Sequence, residues 1–537
     1  MLLVLAGLTW LGMDQLRPPA CSTSDQLDQF SCDRAMAHIR AIASQPHPVG
    51  WIADTQAREY LVHQLEEMGL SVRVQKARIR PPLAWAPFAY NIIARLPGTH
   101  RAPALMLACH YDSVMWGPGA CDDGLAVGAL LETMRALKAG PPLRNDVILL
   151  ITDAEELGMR GAEGFVDSDP LAKDIGFVLN FDARGTDGPS IMFQTSDGSA
   201  DMIDVFASAA TYPVATSFAG DVYRRMPNNT DFTIFADDGM KGLNFAFIGN
   251  YAYYHTPGDN LDHLDRRTLA HTGSYALGLS RKFGNLDLSA IRAGPGAPDD
   301  IYFTAFRGLL IHYRQRWGMV LSAILLSLTT LALIVARRRH WITTGGTLAA
   351  VVRLIVGTAI AVLVAWIAVY FVRGRIGKLP SDQHRDAMEC AEIVCALLAV
   401  VTTLCFMLIG RRRPAANNLA AAGLAIWALL AIPVTIFCPG GSYLVFWPAI
   451  TALIAFCAIA PNRLPPWARL LSAGTASAPV LFLMPPSIDL FMTALTYRGA
   501  YVIMPLISLT LWLLVSTGAV EMLGVVAMQS HVANRDA

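Results

Sequence analysis

Up to about residue 300, short apolar runs alternate with mixed stretches. Ala104–Cys109, Val147–Thr152 and Gly176–Phe181 are apolar runs that end in polar or glycine-rich turns. Runs of this length, bounded by turn residues, predict buried strands. Asp33–Ser44, Thr55–Met68 and Leu125–Lys138 carry apolar residues at helical spacing. Strands alternating with helices predict an α/β domain, a mostly parallel mixed sheet with helices on both faces. In such a sheet the chemistry is expected at the carboxyl ends of the strands.

From Trp317 the pattern changes to long apolar segments. A helix needs about 20 apolar residues to cross a bilayer. Met319–Ala336, Leu348–Val372, Ala391–Ile409, Leu419–Cys438, Tyr443–Ala460, Leu470–Leu495 and Tyr501–Met528 fit that length, with Pro485 and Pro486 interrupting the sixth. Met1–Met13 is a shorter apolar run without the basic flank of a signal peptide, and reads as a truncated membrane anchor. The expected organisation is an anchor over 1–17, a globular domain over 18–304 and an all-α bundle of about seven membrane helices over 305–537.

Composition supports the membrane assignment. Of 537 residues, 54% are hydrophobic and only 16% charged, against roughly 25% charged in a soluble domain. The net charge of zero gives no bulk attraction to nucleic acid, which is excluded as a partner. Arginine clusters at Arg337–Arg339, Arg411–Arg413, Arg463 with Arg469, and Arg535 fall on one side of seven alternating spans. By the positive-inside rule that side is cytoplasmic, which puts the α/β domain outside the cytoplasm. The abundance of arginine and alanine suggests a bacterial protein, with the domain in the periplasm and the bundle in the inner membrane. Cys21 and Cys32 would be able to pair in such a compartment.

The strand ends carry the candidate chemistry. His110 closes the first run in Cys109-His-Tyr-Asp112; imidazole is a zinc ligand, and Asp112 is placed to fix its tautomer. Asp122 and Asp123 open the helix near Leu125; as helix caps they are unremarkable, but a carboxylate also bridges cations about 3.5–4 Å apart. Glu155 and Glu156 follow the second run; one is suited to hold metal while the other accepts a proton from water. Asp182 ends the third run, and His255 lies in Tyr253-Tyr-His-Thr-Pro-Gly-Asp259. Each piece alone has a structural reading as a cap, turn or strand-end residue. Their joint occurrence at three strand ends points to a metal site.

The order HxD, DD, EE, NxD, HT resembles peptidase family M28, the co-catalytic zinc peptidases that include bacterial aminopeptidases. The resemblance covers most of residues 30–285. Gln45-Pro-His-Pro-Val-Gly50, Phe193-Gln-Thr195, Thr230-Asp-Phe232 and the multi-span C-terminus are similar to its membrane-bound branch, the endoplasmic reticulum metallopeptidases and vacuolar membrane proteases. The resemblance implies two Zn2+, one held by His110 and Asp182 and the other by Glu156 and His255. It also implies a bridging Asp122 with a cis bond to Asp123, an orienting Asp112 and a general base at Glu155. A peptide would be the substrate, cleaved by metal-activated water, most simply at its amino end. Tyr253 and Tyr254 are candidate donors to the oxyanion. The alternatives are a glutaminyl cyclase, which works with one zinc, and a non-catalytic peptide-binding receptor or scaffold. The second is disfavoured because no ligand is missing.

Overall fold

A computed structural model describes residues 2–21, 26–81, 85–376, 416–495 and 500–516, with isolated positions between 393 and 401. The chain forms two compact units, Leu16–Arg314 and a helical unit of Met1–Gln15 with Gln315–Ala537.

The first unit is built on seven strands: β1 (Ser71–Arg78), β2 (Phe88–Leu96), β3 (His100–His110), β4 (Asn145–Thr152), β5 (Ile175–Ala183), β6 (Ile191–Thr195) and β7 (Gly242–Phe247). Their order in the sheet is β1-β2-β4-β3-β5-β7-β6. β4, β3, β5 and β7 are mutually parallel, and β1, β2 and β6 run antiparallel to their neighbours. The three predicted strands lie inside β3, β4 and β5, at the centre. They read as unbroken apolar runs because both faces are covered. Leu105, Leu107 and Cys109 of β3 join one core, while Met106 and Ala108 join the other.

Helix α1 (Leu2–Asp14) belongs to the helical unit; α2 (Cys32–Ile42), α3 (Ile52–Glu67), α4 (Gly124–Ala139), α5 (Arg160–Ser168), α6 (Ala200–Ala209), α7 (Ser217–Tyr223), α8 (Asp231–Asp237) and α9 (Arg266–Phe283) belong to the sheet unit. Residues of α2, α3, α4, α6 and α9 share the first core, and residues of α5 and α8 the second. Cys21 and Cys32 form a disulfide at the start of α2. The hairpin of β8 (Asp300–Phe306) and β9 (Leu309–Arg314) completes the unit, so it extends past the expected limit at residue 304.

Among the described residues of the helical unit, five helices are long and apolar enough to span a membrane: Arg316–Arg338, Thr344–Ala368, Ala416–Phe437, Pro439–Ile459 and Pro466–Leu495. The expected third span and the end of the seventh lie outside the described residues. The proline-interrupted sixth is one helix, with Pro479, Pro485 and Pro486 inside it. Pro485 and Pro486 have no N–H for the carbonyls four residues earlier, Leu481 and Phe482. α1 packs where those carbonyls are freed. Gln15 Nε2 donates to Phe482 O at 2.9 Å, and a Cβ on Gly12 would stand 2.5 Å from Leu481 O. A freed carbonyl in an apolar bundle is tolerated because a neighbour satisfies it.

One buried charge ties α2 to α4. The Glu132 side chain is 0% exposed and accepts from the Ser31 amide (2.9 Å), Arg34 (2.9 Å) and Arg135 (2.7 Å). Removing the carboxylate strands two arginines that are only partly exposed. Glu132→Ala is expected to cost about 1–3 kcal/mol, the range for hydrogen bonds to charged groups, less than for a fully buried pair. A lowered melting temperature of the purified protein, with metal content retained, checks this.

Candidate metal centre

β3 lies between β4 and β5, so the chain leaves β3 for one side of the sheet and later returns on the other. Such a reversal opens a crevice beyond the carboxyl ends of the strands. His110 is the last residue of β3, Glu155 and Glu156 stand in the turn after β4, and Asp182 is the penultimate residue of β5. Asp122 and Asp123 immediately precede α4, and His255 follows the short 3-10 turn Tyr251–Tyr253 after β7.

The structure brings five of the sequence-predicted residues into two overlapping donor groups. His110, Asp122 and Asp182 form one; Asp122, Glu156 and His255 form the other; within each group the ligating atoms lie within 4.8 Å of one another. Asp122 belongs to both. Its Oδ1 is 3.2 Å from His110 Nε2 and its Oδ2 is 3.2 Å from His255 Nε2. Glu156 Oε2 is 3.0 Å from His255 Nε2, and Asp182 Oδ1 is 3.9 Å from His110 Nε2. Glu155 belongs to neither group.

Local structure fixes these positions. The Asp122–Asp123 peptide bond is cis. The amides of Cys121 and Asp122 donate to the buried Asp259 carboxylate at 2.7 and 3.2 Å. Asp123 belongs to neither donor group; its Oδ2 accepts from the His110 amide at 3.3 Å. His255 has a left-handed backbone (φ 58°), and the Tyr254 ring stacks on its imidazole at 3.8 Å. Gly117 lies so close to Thr256 that a Cβ would meet its carbonyl at 2.3 Å.

Asp112 does more than the sequence implied. His110 Nδ1 is 3.0 Å from the Asp112 main-chain oxygen and 3.5 Å from its carboxylate. The carboxylate accepts from the amides of Glu155 (3.0 Å) and Glu156 (3.2 Å). Tyr253 stacks on His263 at 3.9 Å, so its ring serves local packing. Cys109 and Cys121 are buried free thiols of the first core, and burial pushes both well above the usual thiol range.

Electrostatics set the site apart. Burial pushes Glu156 up to about 8, with Asp122 adding to the effect. Burial likewise raises Asp182 to about 6 and Asp231 to about 7, and lifts Glu155 well above the usual carboxylate range. Asp122 goes the other way: burial opposes ionisation, but the His110 and His255 imidazoles outweigh it and hold the group at about 2. His255 is lifted to about 10 against its own burial, by Asp122 and Glu156.

Sequence reasoning missed the roles of several buried residues behind this cluster. Asp259 holds the Asp122 turn, and Asp231 accepts from the Thr152 hydroxyl. His47 explains the Pro-His-Pro motif: its amide donates to Ser113 Oγ at 2.8 Å, tying that loop to the turn after β3. Asn180, Gln194 and Thr230 meet at Asn244, whose amide group accepts from Asn180 and donates to the other two, each at 2.9 Å. Three motifs far apart in sequence are thus one buried network.

The donor set fits metal. Glu156 Oε1 and His255 Nε2 are buried with no hydrogen-bond partner, although His255 Nε2 lies close to two carboxylates. Close approach without a hydrogen bond is how ligands facing a common point stand. Two imidazole nitrogens with three carboxylates suit Zn2+.

Residues 91–280 match the family described as Peptidase family M28. The chain is 30% identical over 237 residues to mouse endoplasmic reticulum metallopeptidase 1, a match covering 43% of this chain and 26% of that protein. It is 28% identical over 285 residues to the vacuolar membrane protease of Candida dubliniensis, covering 50% of this chain and 30% of that one. The chain thus matches only about a third or less of the length of these relatives. Among solved structures, the glutaminyl cyclase of Porphyromonas gingivalis is similar at 20% identity and a TM-score of 0.40, covering 47% of this chain and 98% of that one. The matched segment holds His110, Asp122, Glu155, Glu156, Asp182 and His255, so all six lie in the part of the chain that is similar to peptidase family M28.

Proposed function

We propose that the chain is a membrane-anchored, two-zinc metallopeptidase that removes residues from the amino end of peptides, with its peptidase domain outside the cytoplasm. The observation that carries this reading is a division of labour among adjacent carboxylates. Asp122 is common to two donor groups, Glu156 belongs to one, and its neighbour Glu155 to none.

His110 and Asp182 would hold one cation, Glu156 and His255 the other, and Asp122 both. When bound there, zinc supplies a Lewis acid and a water whose pKa is lowered to about 7. Glu155 takes the proton from the attacking water and returns it to the departing amine, a task that needs a carboxylate outside the ligand set. Asp112 holds the Glu155 and Glu156 amides and keeps the two side chains in their separate roles. Tyr254, stacked on His255 and raised by burial and by Asp122 and Glu156, stays protonated and able to donate.

The amino-end direction is supported by the resemblance to M28 aminopeptidases. Two donor groups sharing a carboxylate favour a two-cation hydrolase over a one-zinc cyclase. The Cys21–Cys32 disulfide and the arginines after the first long helix, Arg337–Arg339, support the placement outside the cytoplasm.

Activity profiling of the detergent-solubilised protein on matched peptides tests this reading. Free amino termini are expected to be cleaved and blocked ones spared, with no ammonia-releasing cyclisation. Glu155→Gln is expected to keep its zinc and lose about 10²–10⁴-fold in turnover; near-normal turnover by the metal-replete variant removes Glu155 from the role.

Metal analysis after mild dialysis separates the two aspartates. Asp122→Ala is expected to lose both zinc equivalents, whereas Asp123→Ala keeps them. The reverse result assigns the bridge to Asp123.

Topology is tested by reporters. One fused after Arg339 is expected to report cytoplasm, and one inserted near Asp300 the other side of the membrane. Both on one side contradicts the orientation.

A further inference from the structure

Tryptophan is highly buried on average. The sheet unit has three, Trp51, Trp85 and Trp116, and none lies in either core. They stand 48%, 50% and 67% exposed, and Ile52 and Met115 beside them are exposed too. Trp116 lies in the turn after β3, and Trp85 lies just before β2, whose antiparallel start meets the end of β4. Both are therefore at the edge of the sheet that carries the donor groups. Trp51 opens α3, and its loop is fixed to the other two. The His47 amide donates to Ser113 Oγ at 2.8 Å, and the Ser113 amide to His47 O at 3.4 Å. A Cβ on Gly50 would stand 2.9 Å from Trp85 O. The same loops reach the donor residues. Val49 and Ala86 share a small core with Ala154, which precedes Glu155. Gly117, next to Trp116, is pressed against Thr256, next to His255. Residues 45–53, 81–89 and 113–121 contain no Asp, Glu, Lys or Arg. Single exposed apolar residues need no explanation, but a contiguous set marks a binding surface.

We propose that Trp51, Ile52, Trp85, Met115 and Trp116 form an apolar rim that receives the substrate beyond the cleaved bond, and that the substrates are peptides whose following residues are large, apolar and uncharged. The inference rests on the peptidase reading above. With the amino end of a peptide at the donor groups, the rest of its chain has to leave across this edge of the sheet. Covering the rim removes apolar surface from water, and the rim offers a charged residue nothing to pair with. Tryptophan suits the task, since it presents a large area with only two side-chain torsions to fix. The surface is continuous with the metal centre through Gly117 and Ala154, which favours the substrate as its occupant. A face that docks on a bilayer usually sets Lys or Arg among its aromatic residues, and these three segments carry none.

The test uses the zinc-loaded full chain and two amidated peptides that share a Leu-Ala amino end. One continues with leucine, phenylalanine and valine, the other with serine, glutamine and threonine. The wild type is expected to favour the apolar tail by about tenfold or more in kcat/KM, the scale of burying one large apolar side chain, with the difference in KM. Trp116→Ala should cut that preference severalfold, and the triple replacement of Trp51, Trp85 and Trp116 by Ala should bring it close to one. Trp116→Phe, which keeps an aromatic ring, should retain most of it. Zinc content and melting temperature should hold in each, because the replaced side chains are exposed. Cleavage of both peptides by the wild type without preference overturns this inference alone, as does a preference that survives the triple replacement. A preference lost together with zinc or melting temperature marks a structural role and also overturns it. So does a loss seen in lipid nanodiscs but absent in detergent, which assigns the rim to the bilayer. A wild-type protein that cleaves neither peptide overturns the peptidase reading itself, and this inference with it.

Discussion

Everything in the sheet unit is arranged around one electrostatic constraint, the burial of several carboxylates at a single edge of the sheet. Asp122, Asp182, Glu155, Glu156 and Asp231 lie together beyond β3, β4 and β5, with two imidazoles among them. Like charges at such range cannot all ionise in a buried place, and four of the five are pushed upward. Only Asp122, between two imidazoles, is held low. The protein offers two histidines for five acids, and divalent cations are the natural complement. The fold tolerates the crowding because the groups sit on strand ends and a helix start that the two cores keep rigid.

The cluster of donor residues that the structure brings together stood out in the sequence for a physical reason. A parallel strand buried on both faces must be apolar throughout, so a His, Asp or Glu pair at its end stands out sharply. His110, Glu155–Glu156 and Asp182 were visible that way. Asp122 and His255 were not, because each lies in a loop where an aspartate or histidine is unremarkable. They became legible only through the order of the whole motif set. Asp259, Asp231 and Asn244 gave no local signal of their roles, since their partners are 137, 79 and 64 residues away in sequence.

The fold divides in the same manner. The centre of the sheet was predicted, its edges were not. β1 reads Ser-Val-Arg-Val-Gln-Lys-Ala-Arg and leaves most of its residues exposed, so its charged positions hide the strand. The proline-broken sixth span was the converse case: its local sequence argued against a continuous helix, yet one forms, with Gln15, just after α1, donating to the freed Phe482 carbonyl and Gly12 packed close to that of Leu481. Propensity read along one segment cannot register a partner more than 450 residues away.

The turn after β4 shows how adjacent residues acquire opposite duties. Side chains of successive residues normally diverge, and here Ala154, with a left-handed φ of 62°, starts a turn in which both following amides point at Asp112. The Asp112 backbone, in turn, sits on His110 Nδ1. One residue therefore ties the end of β3, with His110, to the turn after β4 that carries Glu155 and Glu156. Asp259 does the same for the Asp122 turn from the His255 loop, accepting from the Cys121 and Asp122 amides four residues after His255. Donors drawn from four separate segments are thus aligned by two buried carboxylates that bind main-chain amides. Main-chain amides cannot change rotamer, and a donor set held through them has its geometry fixed before any cation or substrate arrives.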